Sequence, residues 1–372
     1  MKPLIKSFFD FIKYLMLKKK ENYIFFYSES IFYREHFIDL INNCVKKNNN
    51  KFIFVTSDYE DYLFHKKILT SFYFKNGFFL YLFFQILKCR CMIMTLTDLG
   101  NHLHKSKNCK NFVYFFHSLS STFTRYTKEA LKNYDLMLTI GEYQINELTE
   151  CEKIFNFPKK KYINTGYFFL DHLKKKVNLD KKKPNTILFA PSWNYNDKNV
   201  FDDYGFKIIK ILLNNNYLVI LRPHPEHFKR SKKVLKQIKE TFTKNSNFIL
   251  DENSSNLDSL EKSSILLTDN SAIDMEYFLI FKRPVIYLDY KDKIHNPDYK
   301  KFTSKNIDVE LKNSIGQVVK CEELDKLLDT LDSSLLNNER IVKKVNEFEK
   351  KYISNVNFSS EFAANFIKSN FL

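Results

Sequence analysis

The chain has 372 residues, 44% of them hydrophobic and 27% charged, which is typical of a globular protein and excludes a largely disordered one. This length is sufficient for two domains, each with its own hydrophobic core. Only six glycines occur, and the sequence contains neither the G-x-G-x-x-G dinucleotide fingerprint nor a P-loop, so any nucleotide must be held in another way.

The first twenty residues predict a helix with an apolar face and surrounding lysines. Two interpretations fit this pattern: a helix lying on an anionic membrane surface, and an ordinary first helix packed on its domain. Neither this segment nor the apolar residues 77–88 are long enough to span a bilayer, and no signal-peptide cleavage site is recognisable. We therefore expect a cytoplasmic protein, with peripheral attachment to the cytoplasmic face of the inner membrane as an open alternative.

Short apolar segments alternate with helical patterns along the rest of the chain. Strands are predicted at 22–27, 51–56, 91–96, 112–116, 135–140, 162–165, 186–190, 217–222, 247–250, 263–268, 284–288 and 316–319. Helices are predicted at 31–46, 126–133, 142–156, 204–214, 229–242 and 271–281. This alternation predicts parallel α/β sheets, and twelve strands divide more naturally into two sheets than one.

A charged segment at 173–185 contains one proline and few apolar residues, which predicts a linker between two domains. The predicted domains are 1–172 and 186–340. The remaining residues, 341–372, predict a helix that could cross back onto the first domain.

The six cysteines form no C-x-x-C pair and follow no secretory signal, which predicts reduced thiols. His102, His104 and Cys109 match no familiar zinc spacing, so no metal site is predicted.

Ligands of parallel sheets lie at the carboxyl ends of the strands, so the residues that follow each strand are the candidate site residues. His117 follows one predicted strand and precedes Ser118, Ser120 and Ser121. An imidazole with a pKa near neutrality could act as a general base, with the hydroxyl groups ordering a substrate around it. The alternative is an exposed turn in which Ser121 caps the next helix.

The segment Asp269-Asn270-Ser271-Ala272 follows another predicted strand and leads into a helix. Free N–H groups at a helix N-terminus bind anions without glycine, so a pyrophosphate could dock there with the Ser271 hydroxyl. The alternative is plain helix capping by these polar residues.

Arg222 and His224 follow the strand predicted at 217–222. The guanidinium of Arg222 suits phosphate oxygens, and the prolines on both sides of His224 restrict its backbone. Glu226 and His227 could reach a ribose or base, or could cap the next helix. Ser192 and Trp193 follow the strand predicted at 186–190, where the indole could stack on a nucleobase or fill the core.

Taken together, four stretches resemble the CDP-glycerol glycerophosphotransferase family, the bacterial enzymes that build teichoic-acid and capsule-type polymers. They are "FFHSLSSTFTRYTKEALKNYDLMLTIG", "ILFAPSWNYN", "VILRPHPEHF" and "LLTDNSAIDMEYFLIFKRPVIYLDYKDKIHNPDY", they occur in family order, and the resemblance covers roughly residues 90–300. It is closest to a divergent branch of the family.

The resemblance implies a GT-B fold, in which two Rossmann-like domains face each other across a cleft, an N-terminal acceptor domain and a C-terminal nucleotide-donor domain. It implies that His117 is the base acting on the acceptor hydroxyl and that His224 helps to bind the donor phosphates. Asp269 and Ser271 match the phosphate-binding helix motif, and Glu276 stands where an aspartate is common. Ser192, Trp193, Glu226 and Glu276 are accordingly assigned to the nucleotide, and Ser118, Ser120 and Ser121 to the acceptor.

The sequence departs from the family pattern at several positions. Ser118 replaces the glycine after the base, Asn270 replaces a tyrosine and Ala272 replaces a second serine. The family's G-Y-P-R segment is Gly166-Tyr167-Phe168-Phe169 here, so its arginine is missing. These changes leave open which group is transferred.

The predicted reaction is a metal-independent, cofactor-independent transfer of an alditol phosphate such as glycerol phosphate from a CDP-activated donor. The acceptor would be a hydroxyl of a polysaccharide or lipid-linked polymer of the capsule or teichoic-acid type. The alternative enzyme is a GT-B glycosyltransferase that uses a nucleotide sugar for capsule or lipooligosaccharide synthesis. A third class, a non-catalytic binder of nucleic acid or anionic membranes, is suggested by the net charge of +16 but disfavoured by the scattered lysines. No nucleic-acid partner is therefore expected.

Overall fold

Two parallel β-sheets, each in its own unit of the chain, form the framework of the computed structural model. The first unit comprises Met1–His172, His295–Ser304 and Tyr352–Leu372, and the second comprises Leu173–Ile294 and Lys305–Lys351. The structure describes residues 2–46, 49–97, 99–194, 198–253, 255–269, 271, 273–290, 294–336 and 338–372.

The first sheet has seven strands. They are β1 (Ile24–Ser28), β2 (Phe52–Thr56), β3 (Thr70–Tyr73), β4 (Cys91–Met94), β5 (Phe112–Phe115), β6 (Leu136–Thr139) and β7 (Lys161–Asn164). Their order across the sheet is β3-β2-β1-β4-β5-β6-β7, and every pair of neighbours is parallel. The order reverses between β1 and β4, which makes the carboxyl ends of these two strands the topological switch point of the sheet.

The second sheet has six strands. They are β8 (Thr186–Phe189), β9 (Leu218–Leu221), β10 (Phe248–Leu250), β11 (Ile265–Thr268), β12 (Val285–Asp289) and β13 (Gln317–Lys320). Their order is β10-β9-β8-β11-β12-β13, again with parallel neighbours, so the switch point lies between β8 and β11.

Sixteen α-helices occur among the described residues. They are α1 (Lys2–Met16), α2 (Arg34–Val45), α3 (Tyr59–His65), α4 (Phe78–Ile86), α5 (Thr122–Arg125), α6 (Glu142–Phe155), α7 (Phe168–Lys176), α8 (Val200–Asn214), α9 (Pro225–Arg230), α10 (Lys232–Phe242), α11 (Leu257–Lys262), α12 (Ile273–Phe281), α13 (Ile307–Ser314), α14 (Leu327–Leu336), α15 (Asn338–Tyr352) and α16 (Ser359–Phe371).

The predicted α/β class with two parallel sheets is confirmed, and all twelve predicted strands are present within two residues of their predicted bounds. The prediction missed β3, a four-residue edge strand whose first residue is exposed. The helix predicted at 126–133 is wrong. The segment instead forms consecutive turns, in which Ala130 N–H donates to Thr127 O and Tyr134 N–H donates to Leu131 O.

The core of the first unit is rich in phenylalanine and is completed by the C-terminal helix. Phe37 of α2 lies edge-on to Phe115 of β5, with ring centroids 4.4 Å apart. Ala363 and Ala364 of α16 are buried in the same cluster, where their small side chains permit close approach to α2.

Helix α1 has one buried face and one exposed face. On the buried face, Ser7 Oγ accepts from Lys75 N–H (2.9 Å) and Asp10 Oδ2 accepts from Tyr73 N–H (2.9 Å), while Tyr14 is fully buried. The exposed face continues onto α4, and we call the two together the α1–α4 apolar surface. It consists of Leu4, Ile5, Phe8, Phe9, Ile12, Leu15, Met16, Phe78, Tyr81 and Ile86. Among the described residues, no helix is both long and apolar enough to cross a bilayer.

Candidate active site

His117 lies two residues beyond the end of β5, close to the switch point of the first sheet. Its ring is half-buried, and Nδ1 is hydrogen-bonded to the hydroxyl of Thr95, the residue directly after β4. Burial lowers the pKa of His117 to about 4, because the charged imidazolium loses its hydration. The imidazole is therefore neutral at physiological pH, as a general base must be.

The Thr95 hydroxyl engages Nδ1 of His117 and so leaves Nε2 for a substrate. A neutral His117 that donates Nδ1–H to the Thr95 oxygen has the tautomer of a general base. The lone pair of the imidazole then lies on Nε2, the nitrogen that could take a proton from a substrate.

Aromatic rings surround His117 on its other sides. The ring of Tyr33 lies edge-on at a centroid distance of 5.2 Å, and the ring of His36 lies edge-on at 5.8 Å. Tyr167 donates a hydrogen bond from its hydroxyl to the backbone oxygen of His117 (3.2 Å). These contacts hold both the backbone and the ring of His117.

The turn after β7 brings two further rings to this position. Gly166 has a φ of +92°, and a Cβ there would lie 2.2 Å from the backbone oxygen of Ser354, so glycine is required. Phe169, which stands where the resembling family has arginine, packs on His36 with ring centroids 4.1 Å apart. An aromatic ring thus lies against His36 where the family pattern supplies a cation.

The serines after His117 differ in accessibility. Ser120 and Ser121 are buried, whereas Ser118 is half-buried. Ser121 is the N-cap residue of α5 but makes no side-chain capping bond, and Glu147 instead accepts from the N–H (2.6 Å) and hydroxyl (2.7 Å) of Thr122. An acceptor-side role remains a prediction for all three serines, of which Ser118 is the most exposed.

In the second unit, Ser192 and Asp269 meet at the switch point between β8 and β11. The backbone N–H of Ser192 donates to Oδ1 of Asp269 (2.7 Å) and the Ser192 hydroxyl donates to Oδ2 (2.7 Å). A carboxylate repels phosphate, so this geometry suits Asp269 to anchoring the loop after β8 better than to touching an anion.

His224 is the N-cap residue of α9, which begins at Pro225. Its Nδ1 accepts from Glu226 N–H (3.2 Å), and its own N–H donates to Pro191 O (3.3 Å). Since Nδ1 is the acceptor, the proton of a neutral ring lies on Nε2. This is the protonation that the phosphate-binding prediction for His224 requires.

Arg222 is tied to an acidic partner. Its Nη1 donates to Oδ2 of Asp251 (2.7 Å) and to Ser255 O (3.2 Å). Burial alone would raise the pKa of Asp251, but hydrogen bonds from Ser259, Asn253 N–H and Arg222 lower it overall. This ion pair neutralises part of the charge that the phosphate-binding prediction assigned to Arg222.

Trp193 and Glu226 were each predicted either to contact the nucleotide or to have a structural role, and their contacts within the protein favour the structural role. Trp193 is buried edge-on against His227, with ring centroids 4.9 Å apart, which favours the packing interpretation. The carboxylate of Glu226 accepts from Lys229 (2.6 Å) and Arg230 (2.9 Å) of its own helix. A nucleotide-binding role for either residue stays a prediction.

Two further predicted residues, Ser271 and Glu276, lie at the start of α12. Ser271 is half-buried and its carbonyl accepts from Asp274 N–H (3.3 Å), while Glu276 belongs to the first turn of the helix. Asn270 and Ala272 lie outside the described residues.

Two residues near these sites, Thr95 and His36, were not predicted from the sequence, whereas His227 was predicted to reach a ribose or base or to cap the next helix. Thr95 was detectable, because it lies at the end of the strand predicted at 91–96. His227 is fully buried, and its ring nitrogens contact Ser231 Oγ (2.8 Å) and Ser192 O (3.0 Å), so it supports the loop after β8. Only the fold places His36 beside His117.

Replacing Thr95 with valine is expected to lower kcat by about 10- to 100-fold, because Nδ1 of His117 loses the hydrogen bond that orients the ring. Thr95→Ser keeps the hydroxyl and should retain most activity. The loss in Thr95→Val should be the same at every pH above the acid limb of the pH–rate profile. Equal kcat values for the valine and serine variants would contradict this role.

The family model for CDP-Glycerol:Poly(glycerophosphate) glycerophosphotransferase matches residues 96–360. No curated protein matches the chain. Among solved structures, the wall teichoic acid polymerase TagF has a TM-score of 0.62 at 15% identity, with 99% of this chain and 95% of that chain covered.

Two further solved structures are also similar to the chain. S. aureus MnaA, solved with UDP, has a TM-score of 0.63 at 14% identity, with 95% of this chain and 98% of that chain covered. The UDP-GlcNAc 2-epimerase of Methanocaldococcus jannaschii has a TM-score of 0.59 at 15% identity, with 93% and 100% covered. At these identities the likeness shows the fold, and the predicted GT-B class is confirmed. Since the family model spans more than half of the sequence, the chain belongs to the CDP-glycerol:poly(glycerophosphate) glycerophosphotransferase family of enzymes.

Proposed function

We propose that the protein transfers glycerol phosphate, or a closely related alditol phosphate, from a CDP-linked donor to a hydroxyl of a teichoic-acid-like or capsule-type polymer. Family membership supports the reaction class. A CDP-linked donor is supported by the TagF structure obtained from crystals soaked with CDPG. The observation that carries the proposal is the neutral His117, whose Nδ1 is engaged by the Thr95 hydroxyl, so that Nε2 is the ring nitrogen left for a substrate proton.

In the proposed reaction, Nε2 of His117 takes the proton of the acceptor hydroxyl. The hydroxyl oxygen attacks the phosphorus that carries the alditol, and a new phosphodiester bond forms. The bond from that phosphorus to the bridging oxygen of the diphosphate breaks, and CMP leaves with the electron pair. Positioning and electrostatic stabilisation supply most of the rate enhancement in such transfers.

The donor phosphates are assigned to the second unit. Nε2–H of His224, the Ser271 hydroxyl and the N-terminus of α12 would bind them, and Asp269 would hold Ser192 in place. Arg222, which Asp251 and Ser255 O hold in place, would contribute its positive charge.

Product analysis tests this proposal. The protein is incubated with CDP-glycerol, CDP-ribitol and a set of sugar nucleotides, together with polymer from a bacterial envelope, and released nucleotide and product mass are followed together. A new phosphodiester accompanied by CMP is the expected result. A glycosidic bond would replace the proposal with the glycosyltransferase alternative, which the phenylalanine in place of the family arginine keeps open.

We further propose that the α1–α4 apolar surface attaches the protein to an anionic membrane surface, where a lipid-linked acceptor would lie. The exposed lysines Lys13, Lys18, Lys19 and Lys75 belong to α1, to the residues just after it, and to the segment before α4. Exposed apolar residues combined with neighbouring lysines are typical of helices that lie in the headgroup region.

The double substitution Phe8→Glu and Phe9→Glu is expected to reduce binding to phosphatidylglycerol vesicles by about tenfold or more, because two exposed rings are lost and two negative charges are added. Vesicle co-sedimentation measures the effect. Leu336→Glu, at an exposed leucine of the second unit, is the matched control and should bind as the parent does. Equal binding of the double variant and the parent would contradict the attachment.

A further inference from the structure

Helix α2 places a second histidine beside His117. β1 and β4 flank the switch point of the first sheet, and α2 begins six residues after β1. His36 lies in the first turn of α2, and its ring centroid is 5.8 Å from that of His117. Because ligands of parallel sheets lie at the switch point, a substrate whose hydroxyl reaches His117 also comes close to His36.

The carboxylates next to His36 in the sequence are bound elsewhere. His172 contacts Glu35 through Nε2 (2.6 Å) and Asp39 through Nδ1 (3.1 Å). His36 makes no hydrogen bond with any described residue, and its Nδ1 is buried without a partner. Its Nε2 is the ring nitrogen that remains accessible. The ring nitrogens of His36 therefore make no hydrogen bond within the described part of the chain.

The two imidazoles present different groups to a substrate. Burial, with a smaller contribution from His117, lowers the pKa of His36 to about 3, so this ring is also neutral. A neutral imidazole carries one N–H, and burying that N–H without an acceptor costs more than burying a lone pair. The proton of His36 therefore lies on Nε2, whereas Nε2 of His117 carries the lone pair that its proposed role as a base requires.

We propose that His36 is an acceptor-positioning residue, whose Nε2–H binds an oxygen of the terminal polyol phosphate next to the hydroxyl that faces His117. This inference rests on the proposed function. One ring that donates and one that accepts, side by side, match two neighbouring oxygens of a polyol. The pair thereby determines which hydroxyl of the acceptor is brought to the base.

Two substitutions separate this role from simple packing on Phe169. His36→Phe keeps an aromatic ring against Phe169 and removes the N–H. His36→Gln removes the ring but places an amide N–H close to the position of Nε2. A packing role predicts that phenylalanine is the better replacement, and the positioning role predicts that glutamine is.

The experiment uses the full chain, saturating CDP-glycerol and a short glycerol phosphate oligomer with a synthetic alkyl anchor as the acceptor probe. His36→Phe is expected to lower kcat/KM for the oligomer by about 10- to 100-fold, the effect of losing a specific hydrogen bond to substrate. The Kd for CDP-glycerol and the slow hydrolysis of CDP-glycerol to CMP should not change. His36→Gln should stay within about threefold of the parent, and His36→Phe should give a mixture of phosphodiester positions in the product.

The outcomes are distinguishable. If the parent protein makes no phosphodiester from CDP-glycerol, both the proposed function and this inference are overturned. If the parent is active and His36→Phe matches it, or loses hydrolysis and transfer equally, the inference alone is overturned. Should His36→Phe fail to fold, His36→Asn serves instead, because its shorter amide cannot reach the position of Nε2. Equal activity of the asparagine and glutamine variants then overturns the inference.

Discussion

His117→Ala is expected to lower kcat by about 100- to 10,000-fold, the usual contribution of a general base. The variant should still bind CDP-glycerol, because the predicted donor contacts belong to the second unit. Initial rates of CMP release with a glycerol phosphate oligomer as acceptor measure kcat, and calorimetry measures donor binding. His102→Ala is the matched control, since His102 is an exposed histidine of the same unit.

The pH–rate profile of the parent protein is a second test of His117 as the general base. The pKa of His117 is lowered to about 4, so the basic form of the ring persists through mildly acidic conditions. The rate should be constant down to about pH 5 and should fall as the pH approaches the lowered pKa and Nε2 becomes protonated. An acid limb near pH 6.5, or a His117→Ala variant as active as the parent, would remove the base assignment.

His224→Ala is expected to lower kcat/KM for CDP-glycerol by about 100- to 1,000-fold, comparable to removing one donor that stabilises charge in a transition state. The physical reason is the loss of Nε2–H, which the bond from Glu226 N–H to Nδ1 keeps in the donor form. His224→Gln, whose amide can donate from a similar position, should recover part of this loss.

Glu226→Ala is the accompanying control for His224, because it removes the carboxylate and leaves the backbone N–H of residue 226 in place. Its activity should remain close to that of the parent if the carboxylate serves only Lys229 and Arg230. A His224→Ala variant with unchanged kcat/KM would exclude a role in binding the donor phosphates.

The strands were predictable because parallel strands are buried on both faces and leave continuous apolar runs in the sequence. The same rule fails for β3, an edge strand with the polar residues Thr70 and Ser71. Apolar spacing of helical type wrongly predicted a helix at 126–133, where the buried residues Ala130 and Leu131 belong to turns. Apolar spacing reports which residues are buried, and the backbone conformation of a short segment is decided by its tertiary contacts.

For the candidate site, only individual residues that follow a strand could be predicted from the sequence. That rule located His117, Ser192 and Asp269, and it could have located Thr95. It could not identify partners, such as the carboxylate of Asp251 against Arg222, 29 residues away. His36 gave no signal, since a histidine in an amphipathic helix is indistinguishable from a surface residue until the strand order is known.

The return of the chain to the first unit has a consequence for biosynthesis. The phenylalanine-rich core under α2 is covered by α16, and Asp171 accepts from Asn357 N–H (2.8 Å) and Ser359 N–H (2.9 Å) at the start of that helix. On the ribosome, residues 24–172 emerge long before their covering helix, and the whole second unit is translated in between. Of the two units, the one that is translated first is therefore completed last, and its apolar surface must be shielded during that interval.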